Sequence, residues 1–176
     1  CLLMRDTSYL PLFTELLRES TERDFTVKDH PEINNGQLYC KADLELLSKK
    51  ISSLYPYSVI EIYQDIKKLL VTDSSLSGLP IDSSITKYPA SNAGSAFHQD
   101  FSRNRNFVLT FFMGTTTFVS AKDKSGGSAI KYPVHFGDII VMRAPRNSSD
   151  TEKILRPVHA IAEVPETTYK LEIRQV

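Results

Sequence analysis

The sequence predicts an α+β fold that is mainly β, a jelly roll of two antiparallel sheets with N-terminal helices packed on one of them. Before about residue 80, apolar residues recur at helical spacing. After it, short runs of β-branched and aromatic residues alternate with Gly, Pro, Asn and Ser turns. Short strands at this spacing are typical of a sandwich or barrel that encloses a small-molecule cavity. We expect one structural domain, in which a helical or lid region (residues 1–83) supports a core (residues 84–176).

Three apolar stripes predict three helices in the N-terminal region. Ser58 and Glu61 have the spacing of a capping box at the start of the third helix. Residues 25–41, which contain Pro31, Asn34, Asn35 and Gly36, indicate a loop or hairpin between the helices. The stripes consist of Leu12, Phe13, Leu16 and Leu17; of Leu44, Leu47, Ile51 and Leu54; and of Val59, Ile62, Ile66 and Leu69.

The core region is predicted to contain eight strands, with turns at 92–94, 125–127, 135–137 and 164–166. Phe111, Phe112 and Phe118 lie within these strands, and we expect them in the hydrophobic core. The predicted strands cover residues 84–88, 95–100, 107–113, 116–121, 128–134, 138–143, 157–163 and 167–174.

Composition excludes several classes of protein. The 176 residues carry 21 basic and 21 acidic side chains, so the net charge of zero argues against a broad nucleic-acid-binding face. The two cysteines, Cys1 and Cys40, cannot form a disulfide scaffold, so we expect an intracellular, reducing compartment such as the cytoplasm or nucleus. No apolar run is long enough to cross a bilayer. We expect a monomer.

Three side chains in the predicted core have the pattern of a metal site. His98 and Asp100 are two residues apart on a predicted strand, so both would project from the same face. His159 lies on a later predicted strand. Two imidazoles and one carboxylate form the facial triad of non-haem Fe(II) oxygenases, which leaves positions open for co-substrate and oxygen. His30 and His135 lie in a predicted loop and turn, where we do not expect ligands.

Around these residues the sequence resembles the Fe(II)/2-oxoglutarate dioxygenase superfamily, and within it the AlkB-like branch of nucleic-acid dealkylases. The resemblance covers residues 84–176 and implies a double-stranded β-helix as the catalytic core. Its motifs, in order, are Ile85-Thr86-Lys87-Tyr88-Pro89, Phe97-His98-Gln99-Asp100, Phe136-Gly137-Asp138-Ile139-Ile140-Val141-Met142 and Leu171-Glu172-Ile173-Arg174-Gln175.

The resemblance implies Fe(II) as cofactor, with 2-oxoglutarate and O2 as co-substrates. Arg174 would hold the far carboxylate of 2-oxoglutarate, and Tyr88 would donate a hydrogen bond to it. The sequence departs from the AlkB-like pattern, whose closing strand carries two Arg residues six apart with an Asn between them. Thr168 and Lys170 occupy the two earlier positions here. Either Lys170 or another basic group substitutes for the missing anchor, or Arg174 is itself that anchor. The Arg174 guanidinium is suited to pair with a carboxylate in both cases.

Three functions remain open at this point. In the first, the enzyme oxidatively demethylates DNA or RNA that carries N-alkyl bases; Arg103 and Arg105 would then contact phosphate, unless they are solvated loop charges. In the second, it is a hydroxylase or demethylase of a protein side chain or small-molecule amino acid, a branch with which Gly126-Gly127 is compatible. In the third, it is a non-catalytic jelly-roll binding domain. Other basic or aromatic residues that could contact a nucleic acid are Arg143, Arg146, Tyr39, Tyr55 and Tyr57.

Overall fold

The computed structural model describes residues 1–52, 58–70, 81–92, 94–99, 105–143 and 158–175. The described residues form two antiparallel sheets and a small set of helices, which confirms the predicted jelly roll. The strands are β1 (Leu2–Arg5), β2 (Thr26–Val27), β3 (Leu38–Lys41), β4 (Ile81–Tyr88), β5 (Arg105–Met113), β6 (Thr116–Ala121), β7 (Ile130–Val134), β8 (Asp138–Arg143), β9 (Val158–Ile161) and β10 (Thr168–Gln175). The helices are α1 (Leu10–Thr21), α2 (Pro31–Asn34), α3 (Leu44–Ser52) and α4 (Val59–Leu70), with a 3-10 turn at Thr7–Tyr9.

The larger sheet has the strand order β1-β8-β5-β10-β4-β3-β2, and the smaller sheet has the order β7-β6-β9. β10 lies at the centre of the larger sheet, between β4 and β5. Because side chains of a strand alternate between its two faces, β10 has a helix-facing side and a side that faces the smaller sheet. The candidate site lies on the side that faces the smaller sheet.

The helices cover the outer face of the larger sheet. One hydrophobic cluster contains Leu12 of α1, Leu47 of α3 and Tyr63 of α4, packed with Leu171 and Ile173 of β10. The capping box of α4 is confirmed, because Ser58 N donates to Glu61 Oε2 at 2.7 Å and Glu61 N donates to Ser58 Oγ at 3.2 Å. Within the described residues, no helix is both long and apolar enough to cross a membrane.

A second hydrophobic cluster fills the space between the two sheets. Phe112 of β5 and Ile140 of β8 meet Phe118 of β6 and Ile161 of β9 there. Phe111, by contrast, belongs to the cluster on the helix side. All three phenylalanines predicted as core are buried, and their division between two clusters follows the alternation of the strands.

The N-terminal part contributes more strands than its sequence predicts. β1 pairs with β8, and β3 pairs with β4, so both ends of the larger sheet come from this part of the chain. The predicted loop or hairpin at 25–41 is a hairpin of β2 and β3 that contains the short helix α2. The predicted strand at 95–100 is wrong: its described residues contain only an isolated β-bridge at His98. Gly94, immediately before this segment, has a positive φ of 78°, so the chain turns as it enters the segment.

Candidate active site

Two histidines from distant parts of the sequence lie side by side. His98 N donates to His159 O at 3.0 Å, and His159 N donates to His98 O at 2.9 Å. Their ring centroids are 4.4 Å apart, and the His159 ring stacks on Phe118 at 5.7 Å. In β9, His159 is two residues from Ile161, which is part of the cluster between the sheets. Both imidazoles therefore lie on the inner side of the smaller sheet, since directly paired residues share a face.

The orientation of the His98 ring favours metal binding through Nε2. Its Nδ1 lies 2.7 Å from the carbonyl oxygen of Ala96. A hydrogen bond to a carbonyl requires a proton on Nδ1, which leaves the lone pair of the neutral ring on Nε2. This is the usual arrangement of a metal-binding histidine, in which a backbone acceptor fixes the tautomer.

Several predicted site residues lie outside the described ranges. Asp100 and Arg103 are among them, and of Arg105 only the backbone, at the start of β5, is described. Within the described ranges no three His, Cys, Asp or Glu side chains are gathered around a common point. The third ligand of the predicted triad therefore stays a prediction. The same holds for the predicted nucleic-acid contacts Arg146, Tyr55 and Tyr57, which also lie outside, as does the Arg143 side chain; Tyr39 lies in β3, opposite Thr86.

The inner face of β10 carries a row of charged side chains. Lys170, Glu172 and Arg174 alternate along the strand, and Lys170 pairs with Phe112, whose ring lies between the sheets. The Glu172 carboxylate forms ion pairs with both neighbours, through Oε1 with Lys170 Nζ and through Oε2 with Arg174 Nη2. Lys170 and Glu172 are only 8% and 5% exposed. Buried charges at such low exposure need partners, because desolvation of an unpaired ion costs several kcal/mol.

Strand β4 completes the surroundings of this cluster. Tyr88 is buried, and Lys170 Nζ lies 5.5 Å from the centre of its ring, within the range of a cation–π contact. Ser84 Oγ accepts a hydrogen bond from Arg174 Nη1 at 3.2 Å, and Asp82 Oδ2 lies 3.7 Å from the same nitrogen. The three residues predicted to hold a co-substrate, Tyr88, Lys170 and Arg174, are thus brought together.

A cavity of about 180 Å³ connects the two groups of residues. Its lining includes His98 together with Tyr88, Lys170 and Arg174, so part of the predicted metal site and the predicted co-substrate site share one space. It also includes Glu172, Gln99 and Ser95, and, from the N-terminal part, Lys28, His30, Ile33, Asn34 and Gln37.

Sequence reasoning missed this N-terminal contribution. The sequence places His30 in a loop and predicts no ligand role for it, yet it lines the same cavity as His98 and has a positive φ of 61°. Gln37 is fully buried, and its Oε1 has no hydrogen-bond partner within the described part of the chain. Gln37 gives no signal of its role in the sequence. That role depends on a contact with the loop at Gly94, 57 residues away.

That contact holds the loop that carries His98. The carbonyl oxygen of Gly94 accepts hydrogen bonds from Asn35 Nδ2 at 3.1 Å and Gln37 Nε2 at 3.0 Å. On its other side the loop follows β9, where Ser95 N donates to Ile161 O at 2.9 Å. Gly94 lies so close to this strand that a Cβ atom there would be 1.9 Å from Ile161 O. The His98 loop is therefore clamped between the hairpin and the smaller sheet.

Solved structures with the same fold are identified at low sequence identity. One is a prolyl-4-hydroxylase from Pseudomonas putida. The matched region covers 99% of this chain and 91% of the hydroxylase chain, with 12% identity and a TM-score of 0.62. A prolyl hydroxylase from Trichoplax adhaerens, in complex with a hypoxia inducible factor oxygen degradation domain peptide fragment, covers 99% and 82%, with 10% identity and a TM-score of 0.66. OsALKBH1 covers 98% and 97%, with 13% identity and a TM-score of 0.62.

These three proteins are members of the 2-oxoglutarate/Fe(II) oxygenase fold. At such identities the similarity establishes the fold alone. In sequence, no protein-family model and no curated protein matches this chain. The structural comparisons thus show that the chain has the double-stranded β-helix fold of the dioxygenases.

Proposed function

We propose that this protein is an Fe(II)- and 2-oxoglutarate-dependent dioxygenase whose iron is held by His98, Asp100 and His159. The observation that carries the proposal is the pairing of His98 with His159, with ring centroids 4.4 Å apart, beside the cavity that Lys170 and Arg174 also line. Imidazole nitrogen is a ligand that suits iron, and a carboxylate two residues after the first histidine would complete a facial triad.

The residues around the cavity fit a ligand with a ketoacid and a far carboxylate. Lys170 and Arg174 supply cationic groups for the carboxylate, with Tyr88 beside Lys170. Thr86 and Thr110, which flank Lys170 and Glu172 across the sheet, have buried hydroxyls without a hydrogen-bond partner in the described part of the chain. Buried hydroxyls without a partner are costly, so they show that the inner face of β10 is a polar environment.

When bound, Fe(II) and 2-oxoglutarate supply the oxidising chemistry, in which O2 is consumed, succinate and CO2 are released and a substrate C–H bond is hydroxylated. The chain itself binds and orients. Its two histidines hold the metal, the cations of β10 align the co-substrate, and the apolar side chains between the sheets, including Phe112 and Phe118, limit the access of water.

We propose alkylated DNA or RNA as the substrate, with hydroxylation of an N-methyl group followed by release of formaldehyde. The order of the AlkB-like motifs in the sequence supports this, and so does the similarity in fold to OsALKBH1 over 98% of the chain. Arg103 and Arg105 would contact phosphate groups beside the metal ligands, in which case binding should weaken as salt concentration rises.

Hydroxylation of a peptide is the second candidate. The similarity in fold to two prolyl hydroxylases favours it, one of them solved with a bound peptide fragment and at a TM-score of 0.66. A side chain of an extended peptide would reach the same metal. The two candidates differ in substrate and share the metal and co-substrate sites.

The test measures 2-oxoglutarate turnover and product type together. Purified protein with Fe(II) is expected to form succinate, and to release formaldehyde from N-methylated oligonucleotides. His98→Ala is expected to lower succinate formation by at least about a thousandfold, since loss of a ligand removes the metal. His135→Ala is the matched control, because His135 is exposed and its contact with Asp138 is made by the backbone.

Each outcome separates the candidates. Succinate with formaldehyde from oligonucleotides supports the demethylase. Hydroxylated peptide without formaldehyde supports the second candidate. Turnover that His98→Ala leaves unchanged would exclude the proposed metal site, and no succinate under any condition would leave only a binding function for the fold.

A further inference from the structure

Glu172 lies where the two cations of the candidate co-substrate site meet. Its carboxylate contacts Lys170 through one oxygen and Arg174 through the other, and all three side chains line the cavity. A bridging carboxylate of this kind offers the same chemical group, in the same geometry, as the far end of a dicarboxylate ligand. The described part of the chain therefore brings its own carboxylate to the cations that are expected to recognise one.

Each of the two cations already has a carboxylate partner without a ligand. Among the described residues, Lys170 and Arg174 face Glu172 on the same strand and Asp82 on the adjacent strand, with Asp82 Oδ2 at 3.7 Å from Arg174 Nη1. A second carboxylate that entered beside Glu172 would bring two carboxylates to the same two cations, in a space where Lys170 and Glu172 are more than nine-tenths buried. Like charges at contact distance and low exposure repel strongly, because little water screens them.

We infer that Glu172 is a specificity-determining residue that competes with the far carboxylate of the co-substrate for Lys170 and Arg174. This inference rests on the proposed function, since it assumes that these cations anchor 2-oxoglutarate. In the competition, a dicarboxylate must displace the Glu172 carboxylate from at least one cation before it binds. The wild-type cavity then gains little from the far carboxylate, and it discriminates weakly between 2-oxoglutarate and a 2-oxo acid with an uncharged tail.

The position of Glu172 on the sheet supports competition over a purely structural role. Its neighbours across the sheet are Ser84 on β4 and Thr110 on β5, both small and polar, and Thr110 Oγ1 has no partner within the described ranges. An apolar side chain would pack poorly there, so the site is built for polar groups. Displacement of Glu172 would expose Lys170 and Arg174 to the ligand without disturbing the helix-facing core, which uses the alternate residues Leu171 and Ile173.

The test compares affinities for two ligands in two variants. Full-length protein loaded with Mn(II) in place of Fe(II), without oxygen, is titrated calorimetrically with 2-oxoglutarate and with 2-oxobutyrate, which lacks the far carboxylate. Glu172→Gln is expected to raise the affinity for 2-oxoglutarate at least about tenfold, because one like charge is removed from a poorly screened site. The affinity for 2-oxobutyrate should stay within about twofold of wild type. Glu163→Gln is the matched control, since Glu163 is exposed and outside the cavity.

Glu172→Asp provides a second variant that keeps the charge. The Asp side chain is one methylene shorter, so its carboxylate should reach the two cations less well. The affinity for 2-oxoglutarate should then lie between those of wild type and Glu172→Gln. Thermal melts of each variant show that it is folded before titration.

The outcomes separate this inference from the proposed function. An unchanged or weaker affinity of Glu172→Gln for 2-oxoglutarate, with wild type binding normally, would overturn the role of Glu172 and leave the dioxygenase proposal intact. Equal gains for both ligands would also overturn it, since the effect would not depend on the far carboxylate. If neither wild type nor any variant binds 2-oxoglutarate, the proposed anchor and the competition fail together.

Discussion

A substitution at Gly94 should separate the cost of backbone strain from the cost of a steric clash in the His98 loop. Gly94 has a φ of +78°, and an added Cβ would lie 1.9 Å from Ile161 O. A left-handed backbone costs a residue with a Cβ roughly 1–2 kcal/mol. Relief of the clash requires the loop to move away from β9. This movement costs about 1–3 kcal/mol in disturbed packing, and loss of the Ser95–Ile161 hydrogen bond costs about 1 kcal/mol more. We therefore expect Gly94→Ala to lower the free energy of unfolding by about 3–6 kcal/mol.

Two other glycines are matched controls. Gly36 has a similar φ of +72° with no atom within 4 Å of an added Cβ, so Gly36→Ala should show the strain alone, at roughly 1–2 kcal/mol. Gly127 lacks a positive φ and has its nearest atoms at 3.7 Å, so Gly127→Ala should change stability by no more than about 0.5 kcal/mol. Urea unfolding followed by circular dichroism measures all three.

The same variant tests the proposed metal site. A loop that leaves β9 moves His98 away from His159, so Gly94→Ala should weaken Co(II) binding by at least about tenfold, measured from the visible absorption of the bound ion. Gly36→Ala should keep its affinity within a factor of about three. A Gly94→Ala protein as stable as Gly36→Ala, with unchanged Co(II) affinity, would refute the close approach of the loop to the strand.

Two further predictions concern stability. Burial raises the pKa of Tyr63 to about 12, so above the ordinary value near 10 the unfolded chain loses a proton that the folded protein keeps. Stability should therefore fall by up to about 1.4 kcal/mol per pH unit between pH 10 and 12, and Tyr63→Phe should reduce that slope in urea titrations at each pH; an identical slope in both proteins would contradict the assignment. Ser58→Ala should cost about 1 kcal/mol by removing the cap of α4, whereas Glu61→Gln, which retains the acceptor to Ser58 N, should cost less than half of that; equal losses would count against the capping box.

Local patterns in the sequence predicted the elements and much of their packing. The stripe of α4 and its cap are encoded within a few residues. The structure places Val59, Ile62 and Ile66 in the core as the helical period requires, whereas Leu69, at the end of the predicted stripe, is 80% exposed. The alternation of β10 likewise places Lys170, Glu172 and Arg174 on one face and Leu171 and Ile173 on the other. These features depend only on backbone periodicity, which every stretch of chain carries with it.

The predicted strand at 95–100 failed because alternation of residue types is weak evidence for pairing. A strand needs a partner along its length, and among residues 95–99 only His98 forms a β-bridge with β9, although Ser95 also donates a hydrogen bond to that strand. The pairing of His98 with His159 is in turn a tertiary event. The sequence suggested both residues by their type and spacing, but their distance depends on how the loop is held.

By itself, the sequence determined the jelly roll and its helical cover, and it supplied the residue types on which the proposed metal and co-substrate sites rest. Only the tertiary structure decided that Gln37 and Asn35 of an N-terminal hairpin hold the Gly94 loop, that His30 lines the cavity, and that Glu172 bridges the two cations. The physical reason is range. The periodicity of helices and strands and the capping of helices depend on residues within one or two turns of each other. Burial and charge pairing depend on which distant segments the folded chain brings into contact.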